Sequence, residues 1–297
     1  MMFDAIVIGG SYAGLSAALQ LARARRNVLV IDGGQRRNRF AATSHGFLGQ
    51  DGRAPGDIVA DARAQLMAYP TVDWIDGKAS TAEAIGPVFA VETEDGESLE
   101  ARRIVLAVGV TDELPEIPGL PERWGKSVFH CPYCHGYELG DGPIGVLAVS
   151  AMSMHHASML PDWGKTKLFV NGAFELDEDR MDELRRRSVA IEREPVVRIS
   201  GERADVELRD GRVVPLAGLF TLTRTRPAGT LAEQLGCDFD EGPLGTFIRT
   251  DGTKETTVPG VFAVGDAARG AGNVALAVGD GAMGGAGTHQ SLIFRGV

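Results

Sequence analysis

The chain has 297 residues, enough for two domains of ordinary size, each with its own core. Hydrophobic residues make up 44% and charged residues 24%, the balance of a globular protein rather than a disordered one. A formal charge of −10 argues against nucleic acid or an anionic membrane as partner, because both would repel the chain. No apolar run is long enough to cross a bilayer and no charged-then-apolar leader opens the chain, so the expected location is cytoplasmic, away from membranes.

In chain order, the short apolar run Ala5–Ile8 leads into Gly9-Gly10-Ser11-Tyr12-Ala13-Gly14. A helical pattern follows through Leu15, Ala18, Leu19, Leu21 and Ala22, and a second apolar run, Val28–Ile31, ends in Asp32. Strand, glycine turn, helix, strand and acid are the order of a dinucleotide-binding βαβ unit. The glycines allow a tight turn and close approach to a pyrophosphate, whose charge then lies at the helix N-terminus. Asp32 is spaced to accept hydrogen bonds from a ribose hydroxyl. Ser11 stands where the middle glycine belongs, and adds only a small side chain. The alternative is an ordinary glycine-rich βα turn.

A meander comes next, with the Asp95-Gly96 turn joining Val88–Thr93 to Ser98–Arg103. Of three cysteines, two form Cys131-Pro132-Tyr133-Cys134. Three are too few for a disulfide framework, and no second Cys-x-x-Cys or His-x-x-x-His completes a zinc site. The pair therefore reads as redox-active rather than as half of a metal centre, and no metal is expected. Cys237, without a partner thiol, reads as a packing residue.

A second strand, Ile144–Leu147, precedes Ala148-Val149-Ser150-Ala151-Met152-Ser153-Met154-His155-His156. A second nucleotide turn belongs here, but Ala148 and Ser150 occupy the places of both glycines, which blocks the tight turn and the close pyrophosphate approach. After Lys167–Val170 comes Asn171-Gly172, with no arginine cluster for a 2′-phosphate. The run Arg185-Arg186-Arg187 reads as a solvated helix face, and His155-His156 as packing or surface. A hairpin follows at Ala204–Leu208 and Val213-Val214. Near the C-terminus Val261–Val264 ends in Gly265-Asp266, and a glycine-rich helix runs on from Asn273 through Val274, Leu276, Ala277, Ala282 and Met283.

Taken together, Val7–Ala18, Ile104–Gly109, Leu114–Gly119, the Cys-x-x-Cys and Val261–Asp266 resemble the low-molecular-weight thioredoxin reductases, in family order and over essentially the whole chain. The block Phe129–Glu138 resembles the branch of dithiol oxidases that close disulfides in compounds such as gliotoxin and holomycin. The resemblance implies an α/β fold of two Rossmann-like three-layer ββα domains, the second inserted into the first. An FAD-binding domain is expected over 1–112 and 228–297. A degenerate NAD(P)H-type domain carrying the cysteines is expected over 113–227, with Leu114–Leu120 and Arg224–Pro227 as linkers.

By the same resemblance FAD is held by Gly9, Ser11, Tyr12, Ala13 and Gly14, by Asp32, Gly33, Arg37 and Asn38, and by adenosine contacts near Ala79 and Gly109. Gly265 and Asp266 are expected at the ribityl chain, and the backbone of Asn273 and Val274 at the flavin ring. Cys134 is the flavin-facing thiol and Cys131 the exchanging one. His135, where thioredoxin reductases usually carry an acid, titrates near neutrality as a free imidazole and is expected to move protons. A turn-capping role is the alternative for His130 and His135; His45, in Ser44-His45-Gly46-Phe47, falls either in the region that approaches the flavin in relatives or in an exposed loop, and His289 carries no assigned role. NADPH is expected to bind weakly or not at all. Electrons then pass between a small dithiol or disulfide and oxygen, or a thioredoxin-like or ferredoxin-like protein, in a homodimer. An NADPH-dependent thioredoxin reductase and a non-catalytic flavin-binding sensor are the competing readings.

Overall fold

The computed structural model describes residues 2–295, and the chain divides into two units. One comprises Met1–Arg37, Pro55–Asp112 and Thr225–Val297; the other comprises Asn38–Ala54 and Glu113–Arg224.

The first unit opens with β1 (Met2–Ile8), α1 (Tyr12–Arg23) and β2 (Val28–Asp32). After α2 (Pro55–Met67) and β3 (Val72–Asp76) come β4 (Ala79–Ile85), β5 (Val88–Thr93), β6 (Ser98–Leu106) and β7 (Val110–Glu113). The main sheet runs β3-β2-β1-β6-β5-β4, parallel from β3 to β6 and antiparallel through the meander. Side chains alternate across a strand, so the unbroken apolar runs of β1 and β2 feed two faces. Ile6, Ile8, Leu29 and Ile31 enter one buried cluster, and Ala5, Val7, Val28 and Val30 enter the other. A sheet buried on both faces is what the continuous apolar pattern requires.

In the second unit β8 (Val128–Phe129), α3 (Pro132–His135), β9 (Asp141–Leu147), α4 (Met154–Met159), β10 (Gly164–Phe169), α5 (Glu178–Arg186) and β11 (Ala190–Glu192) precede a meander. The meander is β12 (Val196–Ser200), β13 (Asp205–Leu208) and β14 (Val213–Val214), and β15 (Gly218–Thr221) completes a parallel sheet ordered β11-β10-β9-β15-β8. Alternation again sorts the core. Ile144, Val146, Leu168 and Phe220 pack with Ala157 and Leu184 of the helices, while Leu147, Phe169 and Leu219 pack with Ile199 and Val206 of the meander. The unit is thus a three-layer ββα sandwich. Leu114–Leu120, expected as a linker, belongs to this core: Leu120 is fully buried beside Val128 and Ile199.

The chain returns through β16 (Arg224–Pro227), α6 (Leu231–Gln234), β17 (Phe239–Gly242), β18 (Gly245–Ile248), β19 (Val261–Ala263) and α7 (Val274–Phe294). Arg224–Pro227, expected as a linker, is a strand in a small sheet ordered β17-β18-β16-β7. β19 adds to the main sheet beside β6, in parallel. Among the described residues no helix is long and apolar enough to cross a membrane.

The glycines of α7 have a packing cause. A Cβ on Gly281 would lie 2.1 Å from the Ala13 carbonyl oxygen, and one on Gly285 would lie 2.5 Å from that of Ala17. Four residues apart on one face, they bring the backbone of α7 onto α1, and the Ser16 hydroxyl donates to the Val278 carbonyl at 2.8 Å. Gly279, with open space around its Cβ position, has no such role. Gly281→Ala is expected to lower stability by about 1–3 kcal/mol through overpacking. Gly279→Ala is expected to be neutral or to stabilise by about 0.5–1 kcal/mol through its helix propensity. Urea unfolding of the two variants checks the pair, and equal effects would refute the contact.

Candidate functional site

Parallel pairing gathers the carboxyl ends of β1, β2, β6 and β19 at one edge of the first unit's sheet. That edge carries Gly9, Asp32, Gly33, Gly109, Gly265 and Asp266, and it is where open α/β sheets bind ligands. Gly9 has φ +107°, and a Cβ there would lie 2.2 Å from the Ala107 carbonyl oxygen. A Cβ on Gly14 would lie 1.8 Å from the Gly9 carbonyl oxygen, so neither position accepts a side chain. Ser11 is the N-cap of α1 with extended backbone, and its side chain makes no capping bond. Tyr12, Ala13 and Gly14 form the first helical turn, whose amide dipoles suit an anion. Asp32 accepts the Gly10 amide at 3.0 Å and so fixes the turn that it follows by 22 residues.

Asp266 sits in a 3₁₀ turn just after β19. Its Oδ2 is 3.4 Å from Arg37 Nη1, while its buried Oδ1 has no hydrogen-bond partner. Burial pushes its carboxyl pKa up, against the pull of Arg37. Arg37 also grips Asp112, from Nε to Oδ2 at 2.9 Å and from Nη2 to Oδ1 at 2.5 Å. Burial opposes the Arg37 charge, but the two carboxylates outweigh it and raise its pKa. Asp112 was not singled out from sequence; it lies 75 residues from Arg37, and no local pattern marks it. Asn273 caps α7 by accepting the Leu276 amide at 2.8 Å, and Val274 begins that helix. Ala79 opens β4, half-buried, and the Gly109 carbonyl accepts the Ala228 amide. Asn38 falls in the second unit.

The second unit offers a contrast at the corresponding turn. After β9, the Val149 amide donates to Ser153 Oγ at 3.1 Å, and the Met152 amide donates to Ser150 Oγ at 3.3 Å. Serine hydroxyls thus take up backbone donors that a phosphate-binding turn presents outward. The helix is broken as well, into a 3₁₀ turn (Ala151–Ser153) and the six-residue α4. At the end of β10, Asn171 Oδ1 accepts the Val196 amide. The arginine run lies on α5 and just beyond it, where Arg185 pairs with Asp182 and Arg187 with Asp162.

Cys131 and Cys134 bracket the single turn of α3. Cys131 is its N-cap (φ −114°, ψ 110°), Pro132 is its first residue, and the Cys134 amide donates to the Cys131 carbonyl at 3.3 Å. Proline suits this position because its fixed φ is helical and its missing N–H would be unpaired there anyway. Both cysteines are half-buried. Gly136 closes the turn, where a Cβ would lie 2.7 Å from both the Pro132 carbonyl oxygen and the Trp163 ring. Cys237 is buried in the first unit's core, its thiol pKa raised by burial, with Thr256 Oγ1 at 3.5 Å.

His135 stacks on Phe129 with ring centroids 4.2 Å apart. Burial, and then the nearby His45, lower its pKa to about 4, so its titration lies outside the neutral range expected from sequence. His45 Nε2 lies 3.4 Å from Glu138 Oε1 and 3.0 Å from Thr43 Oγ1. His45, His135 and Glu138 line a cavity of about 400 Å³, walled by Phe40, Phe129, Leu139 and Ala217 and edged by Lys126 and Arg203. His130 lies 6.1 Å from Trp124, ring to ring, and His289 lies on α7. Among the described residues no group of His, Cys, Asp and Glu is arranged to hold a metal ion.

Residues 3–281 match the pyridine nucleotide-disulphide oxidoreductase family, and the chain belongs to that family of enzymes. It is 58% identical to an oxidoreductase from Agrobacterium tumefaciens over 99% of both chains, with a TM-score of 0.97. It is 39% identical to HlmI, covering 98% of this chain and 92% of that one, with a TM-score of 0.91. It is also 33% identical to thioredoxin reductase tcpT of Claviceps purpurea over 281 residues, 89% of this chain and 86% of that protein.

Two histidines, buried His156 and half-buried His135, make the fold acid-sensitive. His135 and His156 both have pKa values lowered from 6.5 to about 4, chiefly by burial. Between these values the unfolded chain binds protons that the folded chain does not, so stability is full above about pH 6.5 and falls as pH drops towards 4. The expected loss is on the order of 2–3 kcal/mol per histidine at the acid end. Urea unfolding between pH 7 and 4 reads it, and His135→Asn should flatten the slope.

Proposed function

We propose that this oxidoreductase is an FAD-dependent thiol–disulfide exchange enzyme that works through Cys131 and Cys134, with NADPH an ineffective reductant. The contrast between the two helix-initiating turns carries the NADPH half. Before α1 the glycines clear the backbone and Ser11 gives no side-chain cap. Before α4 Ser150 and Ser153 consume backbone amides. A pyrophosphate there would have to displace hydrogen bonds worth about 1 kcal/mol each.

The first unit fits FAD on its own evidence: glycines that exclude Cβ atoms, and a buried Asp266 oxygen that lacks a hydrogen-bond partner where a ribityl hydroxyl is expected. In this reading the turn with Ser11, Tyr12 and Ala13 takes the pyrophosphate, Asp32 and Gly33 take the adenosine side with Ala79 and Gly109, and Arg37, 3.4 Å from Asp266, lies towards the ribityl end. Gly265 and Asp266 hold the ribityl chain, and Asn273 and Val274 meet the ring edge. Bound FAD supplies a two-electron acceptor for the cysteine pair.

In the exchange itself, a substrate thiolate attacks Cys131 Sγ, the Cys131–Cys134 bond breaks, and Cys134 leaves as thiolate. The second substrate thiolate then attacks the mixed disulfide at the substrate sulfur and releases Cys131. The substrate disulfide forms, the pair gains two electrons, and the two substrate protons must be taken up. His135, neutral at pH 7 but with its pKa lowered to about 4, is a weak acceptor that relays them one at a time beside a cavity of small-molecule size. That cavity favours a small dithiol over a protein as the substrate; thioredoxin-like or ferredoxin-like partners are the alternative. A homodimer and a cytoplasmic setting belong to the same proposal. For the dimer, α7 exposes Leu276, Met283, Ile293 and Phe294 on a face without charge.

Anaerobic titration of the yellow protein tests the function. Dithiothreitol should bleach the flavin and NADPH should not, and Cys134→Ser should abolish the dithiol response. Prompt bleaching by NADPH would make an NADPH-dependent thioredoxin reductase the better reading, and no bleaching by either would leave a flavin-binding sensor. Sedimentation velocity tests the dimer: Met283→Glu should shift it towards monomer, and a wild-type monomer would refute it.

A further inference from the structure

We infer that His156 is a positioning residue for the cysteine turn: from α4 it holds the backbone of His130, the residue before Cys131. The inference rests on the proposed role of Cys131 and Cys134.

His156 is 4% exposed, in the core of the second unit. Its ring hydrogen-bonds the His130 backbone. Nδ1 is buried without a hydrogen-bond partner, so the bond is made by Nε2, and donation to a carbonyl fixes the Nε2–H tautomer. A second connection runs through rings. His156 meets Phe220 edge-on with centroids 6.2 Å apart, Phe220 lies 5.6 Å from Phe129, and Phe129 stacks on His135. The helix therefore holds one end of the turn directly, at the carbonyl preceding Cys131, while ring contacts through Phe220 and Phe129 run on to His135.

An apolar residue would fill this place more cheaply. A buried imidazole with one nitrogen unsatisfied costs about 1–3 kcal/mol of desolvation, so simple packing does not account for it. What the histidine adds is control of the His130–Cys131 peptide plane. That plane fixes the N–Cα bond about which the Cys131 Cβ is carried, and disulfides form and open only within a narrow range of Cβ placement. In a nucleotide-binding domain the first turns of this helix face a phosphate. Here they begin with serine-capped amides and end by holding the cysteine turn.

The test uses the holoenzyme with H156F, which keeps a ring but loses the donor, H156M as a second donor-free filler, and H156Q, which keeps a donor near the Nε2 position. Cys131 alkylation by iodoacetamide in the prereduced protein, followed by peptide mass, reads the placement of the thiol directly. The equilibrium of the cysteine pair with dithiothreitol and the melting temperature are read alongside. The donor-free variants should change alkylation rate and equilibrium on the order of fivefold to tenfold, what one hydrogen bond is worth, with H156Q within about twofold of wild type. Equal melting losses in all three, with alkylation and equilibrium unchanged, would overturn the inference. Failure of dithiothreitol to bleach the wild-type flavin would sink the redox reading instead, and the alkylation comparison would still decide this one.

Discussion

Helix α7 lies on α1 with backbone against backbone, because Gly281 and Gly285 leave no Cβ between them and the carbonyls of Ala13 and Ala17. The rest of the first unit's site depends on that approach. Ala13 and Gly14 are the first turn of α1, so the residues that α7 touches are those that face the expected pyrophosphate. The same region is pinned from a third side, where Gly265, at φ +72°, brings its backbone close to the Ala13 Cβ. Three segments far apart in sequence meet at alanine-sized or smaller residues. A larger side chain at any of them would push the glycine turn, the Asp266 turn or the start of α7 out of place.

The two units repeat one plan with opposite chemistry at its key turn. Both place a strand, a turn and a helix so that amide donors emerge at a sheet's carboxyl edge. Where glycines line the turn, the donors need an outside acceptor, and an anion is the natural one. Where Ser150 and Ser153 line it, the acceptors are built in, and an anion gains little by replacing them. The two turns thus differ by more than the space their side chains block. The helix behind the altered turn is short, and its buried histidine faces the core rather than a phosphate.

What was legible in the sequence follows from interaction range. The order of β1, α1 and β2, the Asp95-Gly96 turn and the α5 charge face are set by neighbours within a few residues, and they read directly. The glycine-rich α7 was legible as a helix, but not the reason for its glycines, because their partners lie on α1 more than 260 residues away. Asp112 and His156 were hidden for the same reason. Nothing near Thr111-Asp112 announces a partner for Arg37, and His156 sits in a stretch that reads as ordinary packing. The segment Asn38–Ala54 is polar and turn-rich, and its own pattern gives no sign that it groups with Glu113–Arg224.

His135 shows where free-residue chemistry misleads. An imidazole in water titrates near neutrality, which suggests a shuttle that both takes and returns protons. Stacked on Phe129 and half-buried, it resists protonation until about pH 4. Under the proposed function, a proton taken from a substrate thiol would be held only briefly. The same cavity wall carries Glu138 and His45, 3.4 Å apart, with Glu138 partly exposed to solvent. In the proposed reaction a weak base such as His135 relays protons outward rather than storing them, which a dithiol substrate that gives up two would need.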